Sequence, residues 1–127
     1  MNFRPIARGL FVCDQVTVDP ATHDITLINC FTRKRVTRFP SPLLRFSVFT
    51  ALTGGLGPVM MRVMVSRVVD NRVVYWRDHR AVFRDRVIET RFILRVTDVQ
   101  FPDPGQYVVE ILADGEWVAQ TTISVSL

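Results

Sequence analysis

The stretch Phe101-Pro102-Asp103-Pro104-Gly105-Gln106-Tyr107-Val108-Val109-Glu110-Ile111-Leu112-Ala113-Asp114-Gly115-Glu116-Trp117-Val118-Ala119-Gln120-Thr121-Thr122-Ile123-Ser124-Val125-Ser126-Leu127 decides how the chain is read. A Pro/Gly start leads into alternating apolar residues, Ala113-Asp114-Gly115 interrupts them, and a second alternating run follows. Asp-Gly between two such runs predicts a β-hairpin, and with it an antiparallel β domain. Two loop lengths compete. A two-residue Asp114-Gly115 loop pairs Ala113 with Glu116, sets Trp117 on the face of Leu112 and Glu110, and sets Gln120 on the face of Val109 and Ile111. A three-residue loop with a left-handed Gly115 pairs Leu112 with Glu116. It gathers Tyr107, Val109, Ile111, Trp117, Ala119, Thr121, Ile123 and Val125 on one face. Val108, Glu110, Leu112, Glu116, Val118, Gln120, Thr122 and Ser124 share the other. Because a one-residue slip exchanges the faces of a strand, the cleaner separation predicts the three-residue loop.

Asp103-Pro104-Gly105-Gln106-Tyr107-Val108-Val109 resembles the Asp-x-Gly-x-Tyr-x-Cys corner of immunoglobulin-like domains, where the tyrosine hydroxyl ties back to upstream backbone. Tyr107 therefore reads as a structural latch. Val109 stands where the disulfide cysteine would be, and Trp76 is too close in sequence to be the usual core tryptophan. The likeness supports an antiparallel β-sandwich, immunoglobulin-like in general architecture, rather than membership of the antibody superfamily.

At 127 residues the chain is one domain, residues 1–127, long enough to bury about two thirds of its unfolded surface. Its 48% hydrophobic content supports a core without staples. The net charge is +4, and Lys34 is the only lysine among 16 basic residues. Arginine suits phosphate and carboxylate, but the 12 acidic residues are interspersed, so no half of the chain is a basic tail. Met1 to Gly9 lacks the apolar core of a signal peptide, and no stretch approaches the roughly 18 apolar residues of a membrane helix. The expectation is a cytoplasmic protein with no membrane contact and reduced cysteines.

The first strand is expected from about Arg8 to Val18 and the second from Asp24 to Phe31, joined through Asp19-Pro20-Ala21-Thr22-His23. With Val18 facing Ile25, Cys13 falls opposite Cys30, and Asp14 opposite Asn29. The cysteines read as two small buried hydrophobes, with a redox-sensitive cross-strand pair as the alternative. Asp14 and Asn29 read as satisfying each other. Arg33-Lys34-Arg35-Val36-Thr37-Arg38 is the densest basic run: either a phosphate or acidic-partner contact, or a solvated edge strand whose charge resists edge-to-edge pairing. Further strands are expected over Leu43 to Leu52, Val59 to Val69, Arg72 to Phe83 and Val87 to Val96. Arg77, His79, Arg80, Arg84, Arg86, Arg91 and Arg95 gather into a basic surface if the last two of these pair. Thr53-Gly54-Gly55-Leu56-Gly57-Pro58 fits neither the dinucleotide fingerprint nor the P-loop and reads as a strand connection. With the final hairpin the count is about eight strands, and no helix pattern of useful length occurs.

Two stretches together resemble a known family. One is Cys13-Asp14-Gln15-Val16 with Asp19, then Ile25-Thr26-Leu27, Phe31 and Phe39-Pro40; the other is Phe101, Pro104-Gly105-Gln106-Tyr107 and Asp114-Gly115. In order and spacing they look like an uncharacterised bacterial family, a domain of unknown function, of small single-domain β-sandwich proteins. The resemblance covers nearly the whole chain. It implies a bacterial cytoplasmic sandwich and supplies no activity.

Neither His23 nor His79 has an evident partner set for nucleophilic catalysis, and no metal spacing or phosphate cradle is present, so no catalytic residue, metal or cofactor is expected. The leading expectation is a non-catalytic protein-interaction or structural module, self-associating or bound to a protein partner. Its expected surface is the outward apolar trio Val108, Leu112 and Val118. The alternative is polyanion or nucleic-acid binding through an arginine-rich face, beginning with Arg33, Lys34, Arg35 and Arg38.

Overall fold

A computed structural model describes residues 3–127. It is all-β, with nine strands among the described residues: β1 (Ile6–Val18), β2 (Ile25–Cys30), β3 (Arg33–Arg35), β4 (Leu44–Thr53), β5 (Gly57–Arg67), β6 (Val73–Phe83), β7 (Thr90–Val99), β8 (Gly105–Ala113) and β9 (Glu116–Ser126). They form a four-stranded sheet in the order β2-β1-β4-β7 and a five-stranded sheet in the order β3-β9-β8-β5-β6. The arrangement is sandwich-like: one apolar cluster takes Val12, Phe46, Val48, Leu52, Leu94 and Val96 from the first sheet and Val59, Met61, Val63, Val65, Val109, Ile111, Ile123 and Val125 from the second. Along β5 and β8 most of those positions alternate with exposed or half-buried ones, which is the period of a strand with one face on a core.

The ninth strand is β3, outside the expected count of about eight but at a sheet edge, as the edge-strand alternative for the basic run has it. Three charged residues show no alternation; the segment becomes a strand by pairing in parallel with the end of β9, Arg33 opposite Ser124 and Arg35 opposite Ser126. The other strand pairings are antiparallel. β7 also starts three residues later than the expected Val87, because residues 84–89 are spent crossing from β6 in one sheet to β7 in the other. Val87 and Ile88 are exposed on that crossing. The glycine connection after β4 likewise changes sheets. At Gly55 a Cβ would lie 2.7 Å from the Phe83 ring, so the backbone passes over an aromatic that no side chain would clear.

The final hairpin corrects the loop. Ala113 pairs with Glu116 and Leu112 with Trp117, so the turn has two residues, not three. Asp114 and Gly115 both have positive φ (49° and 82°), as the favoured two-residue turn requires. Asp114 is also docked on β5: its N–H donates to the Met60 carbonyl at 2.8 Å and its Oδ1 accepts from the Met60 N–H at 2.9 Å. The extra residue moves into the strand instead. Ile111 pairs with Ala119, which leaves Val118 as a bulge. Beyond the bulge Tyr107, Val109, Ile111, Ile123 and Val125 share the buried face, as expected. Before it, Trp117 and Val118 exchange roles: Trp117 lies 58% exposed beside Leu112, whereas Val118 packs against the core.

The latch forms as read. The buried Tyr107 hydroxyl donates to the Asp103 carbonyl at 2.6 Å, and the ring meets Phe101 edge-on at 4.7 Å. Burial pushes the Tyr107 hydroxyl up from its ordinary pKa, which keeps that donor protonated.

Candidate binding faces

The outer face of the five-stranded sheet is fixed by register. One row across it reads Trp76, Met64, Glu110, Gln120; the next reads Asp78, Arg62, Leu112, Trp117. Both tryptophans are more than half exposed, at 55% and 58%, and Met60 extends the apolar surface on β5. Of the charges between them, Arg62 and Asp78 are spent on each other, while Glu110 has no partner among the described residues. Arg62 Nε donates to Asp78 Oδ1 at 2.7 Å and Nη2 to Oδ2 at 3.1 Å, a bidentate pair. The hydrogen bond from Arg62 holds the Asp78 carboxyl below its usual range, and the same bond raises Arg62. The guanidinium carbon lies 4.5 Å from the Trp76 ring centroid, so the pair also props that indole. The Trp117 indole N–H donates to Gln120 Oε1 at 3.3 Å. Met60, Arg62, Met64, Asp78, Leu112 and Gly115 line an open groove of about 220 Å³ on this face.

Two of the three residues expected to form a partner surface stand here. Val108 and Leu112 are half-buried on the outer face of β8, while Val118 is turned into the fold by the bulge and leaves the trio. Trp117 takes its place. The sequence signal for it was present, since the two-residue loop puts Trp117 beside Leu112. The three-residue loop, with Trp117 facing the core, gives the tidier alternation and so masks it.

The basic run Arg33, Lys34, Arg35, Arg38 lies on and just beyond β3, at the edge of the five-stranded sheet. Lys34 is engaged: its Nζ lies 3.3 Å from Asp14 Oδ1 and 4.9 Å from the Phe31 ring centroid. Arg33, Arg35 and Arg38 are exposed. The larger basic surface expected from Arg77 to Arg95 does not form by strand pairing, because β6 and β7 belong to different sheets. Arg77, His79 and Arg80 instead charge β6, the long open edge of its sheet, a placement that opposes edge-to-edge pairing.

Asp14 and Asn29 satisfy each other as expected, with Asn29 Nδ2 donating to Asp14 Oδ2 at 2.5 Å. That bond, and after it Lys34, hold the Asp14 carboxyl below its ordinary range. Cys13 does face Cys30 across the strands, but only Cys13 is buried; Cys30 is exposed, and both are free thiols. The reading of two buried hydrophobes is therefore right for Cys13 alone, since Cys30 is on β2, an edge strand. Burial pushes the Cys13 thiol up, away from the thiolate. His23 sits in the β1–β2 turn and His79 is exposed on β6. No group of three or more metal-ligating side chains occurs among the described residues, and none of their helices is long and apolar enough to cross a membrane.

Fold and faces define an all-β, two-sheet domain with broad open surfaces. Residues 8–126 match the family of unknown function DUF6941, and the chain belongs to that family. A comparison with curated protein sequences gives no match. Among solved structures it is similar to a β-glucosidase from Listeria innocua, with a TM-score of 0.52 and 12% identity over 95% of this chain and 16% of that one. It is also similar to the alkylpurine DNA glycosylase AlkC of Pseudomonas fluorescens bound to DNA containing an abasic site analog, with a TM-score of 0.51 and 11% identity over 93% of this chain and 30% of that one. The chain thus spans under a third of either protein, and at these identities the likeness concerns the fold alone.

Proposed function

We propose that this protein is a non-catalytic, cytoplasmic protein-interaction module that self-associates through the outer face of its five-stranded sheet. The observation that carries the reading is the pair Trp76 and Trp117, more than half exposed on either side of Met64, Leu112 and the Arg62–Asp78 pair. Exposed tryptophan, methionine and arginine are the residue types enriched where protein surfaces meet. The central ion pair is satisfied within the chain, and the two charges on the face with no partner among the described residues, Glu110 and Arg80, are of opposite sign. It is open rather than enclosed, which suits another sheet face, and a second copy of this chain offers one. The immunoglobulin-like architecture belongs to the same proposal, supported by the Tyr107 corner. Two free cysteines are consistent with a reducing compartment.

Light scattering after gel filtration, over a range of protein concentration and salt, tests it. Mass should rise with concentration, hold in high salt, and fall to that of a monomer in Trp76→Ala and Trp117→Ala at unchanged melting temperature. A strict monomer at every concentration overturns self-association.

A further inference from the structure

The outer face of the four-stranded sheet differs in kind. Its register sets Phe11, Phe49 and Ile93 in one row across β1, β4 and β7, and Cys13, Ser47 and Arg95 in the next row on the same face, about 7 Å further along. Beyond them Arg45, Gln15 and Thr97 line, with Ser47 and Arg95, an open groove of about 430 Å³. That size lies within the range of small-molecule sites.

The polar groups of this groove are uncommitted. Among the described residues, Arg45 and Arg95 have no ion-pair or hydrogen-bond partner for their guanidinium groups, nor have the side chains of Gln15 and Thr97. Ser47 is only 6% exposed, yet its hydroxyl makes no hydrogen bond to another described residue, while its carbonyl accepts from Cys13 Sγ. Asp14 also lines the groove, but its carboxylate is held by Asn29 at 2.5 Å and Lys34 at 3.3 Å, so it is not free to pair with either arginine. In the row beyond Phe11, Phe49 and Ile93 stand two more arginines: Arg91 donates to the His23 carbonyl at 2.5 Å and lies 4.0 Å from Glu89, while Arg8 has no ion-pair or hydrogen-bond partner among the described residues. The two arginines of the notch are separated from Arg8 and Arg91 by the apolar row. Beside the notch stands an apolar shelf on which Phe11 is 47% exposed.

We propose that this groove binds a small phosphorylated ligand with a flat apolar part, the chemistry of a mononucleotide. Arg45 and Arg95 hold the phosphate from two sides through their forked donors, and the Ser47 hydroxyl, Gln15 amide and Thr97 hydroxyl supply neutral hydrogen bonds. The planar part lies over Phe11 and Phe49. Stacking of a base on an aromatic ring adds affinity with little dependence on base identity. A polymer would need a continuous positive track, and on this face the row of Phe11, Phe49 and Ile93 divides the notch from Arg8 and Arg91.

Calorimetric titration at constant ionic strength with inorganic phosphate, adenosine 5′-monophosphate and adenosine tests the assignment. The nucleotide should bind more tightly than phosphate, and adenosine the most weakly of the three. The double substitution Arg45→Ala/Arg95→Ala should weaken nucleotide binding by roughly tenfold or more. Arg45→Lys/Arg95→Lys keeps the charge without the fork and should lose less; it carries the test if the alanine variant melts early. Phe11→Ala should leave phosphate affinity unchanged and reduce the advantage of the nucleotide over phosphate. Three results would overturn the proposal: no heat with either phosphate-bearing probe, equal binding by wild type and both arginine double variants, or single-stranded DNA binding whose affinity grows with length and falls steeply with salt.

Discussion

The two outer faces are built on the same scaffold and use arginine in opposite ways. On the five-stranded sheet Arg62 is bidentate to Asp78 and lies 4.5 Å from the Trp76 ring, so its charge is cancelled and its plane props an aromatic. On the four-stranded sheet Arg45 and Arg95 flank a buried serine with no carboxylate partner among the described residues. Neutralised arginine among tryptophan and methionine makes a surface centre suited to excluding water. Unpaired arginine around a recessed hydroxyl makes one that asks for an anion. Net charge, +4 for the whole chain, distinguishes neither. What separates the faces is which carboxylate each register row supplies: Asp78 lies directly across from Arg62, whereas Ser47 lies across from Arg95.

Both faces should fail together only when the shared core fails. Ile111→Ala beneath the five-stranded sheet and Leu94→Ala beneath the four-stranded sheet remove side chains that are 0% and 1% exposed. Each is expected to cost about 2–5 kcal/mol in urea unfolding. If one of them cost less than about 1 kcal/mol, the two sheets would not share a single close-packed core. The corner that starts β8 comes next. Tyr107→Phe deletes the 2.6 Å hydrogen bond to Asp103 and should cost about 1 kcal/mol, read as a lower urea midpoint at unchanged slope. An unchanged midpoint would mean the latch is idle.

A crossed pair of variants tests the contrast itself at small cost in stability. Trp117→Ala and Arg95→Ala change exposed side chains and should each move stability by no more than about 0.5 kcal/mol. The first should abolish concentration-dependent mass and leave phosphate titration intact; the second should do the reverse. Loss of both readouts in either variant would show that the faces are coupled.

The smallest expected effect is a pH dependence. Asp14 on β1 ties the four-stranded sheet to Lys34 on β3 of the five-stranded sheet. Its folded pKa is depressed, first by Asn29 and then by Lys34. A depressed carboxyl contributes stability that is present above its unfolded value, about 3.9, and is lost as pH falls through the folded value. Asp14→Asn should therefore be the less stable protein at neutral pH. The gap should close as wild type is acidified below about pH 4. A gap independent of pH would assign the effect to packing rather than charge.

Much of the fold was legible because it is written in short-range chemistry. Alternation placed the buried residues of β8, and the Asp-Gly turn placed the last hairpin. The Val18–Ile25 register brought Cys13 opposite Cys30 and Asp14 opposite Asn29. The Tyr107 corner was read as the latch it is. The misses share a cause: each depends on a partner far away in sequence. The loop length followed from Asp114 docking on Met60, a contact 54 residues away, which no pattern within the hairpin contains. The third strand, open in the sequence only as an edge-strand alternative for the basic run, is fixed by the end of β9 beside it. The expected gathering of arginines on β6 and β7 failed because the chain changes sheets between them.

The candidate faces divide along the same line. By itself the sequence determined that the domain is antiparallel and all-β, that the residues alternating along its strands form the core, and that Val108 and Leu112 point outward. These depend on the period of two, on turn residues and on burial, which are local properties. Only the tertiary structure decided that Trp117 rather than Val118 joins that outward surface, since one bulge reverses the two. Only it brought Arg45 and Arg95, 50 positions apart, to either side of Ser47. Pairing between distant strands is set by how two sheets close over a common core, and no stretch of the chain carries that information alone.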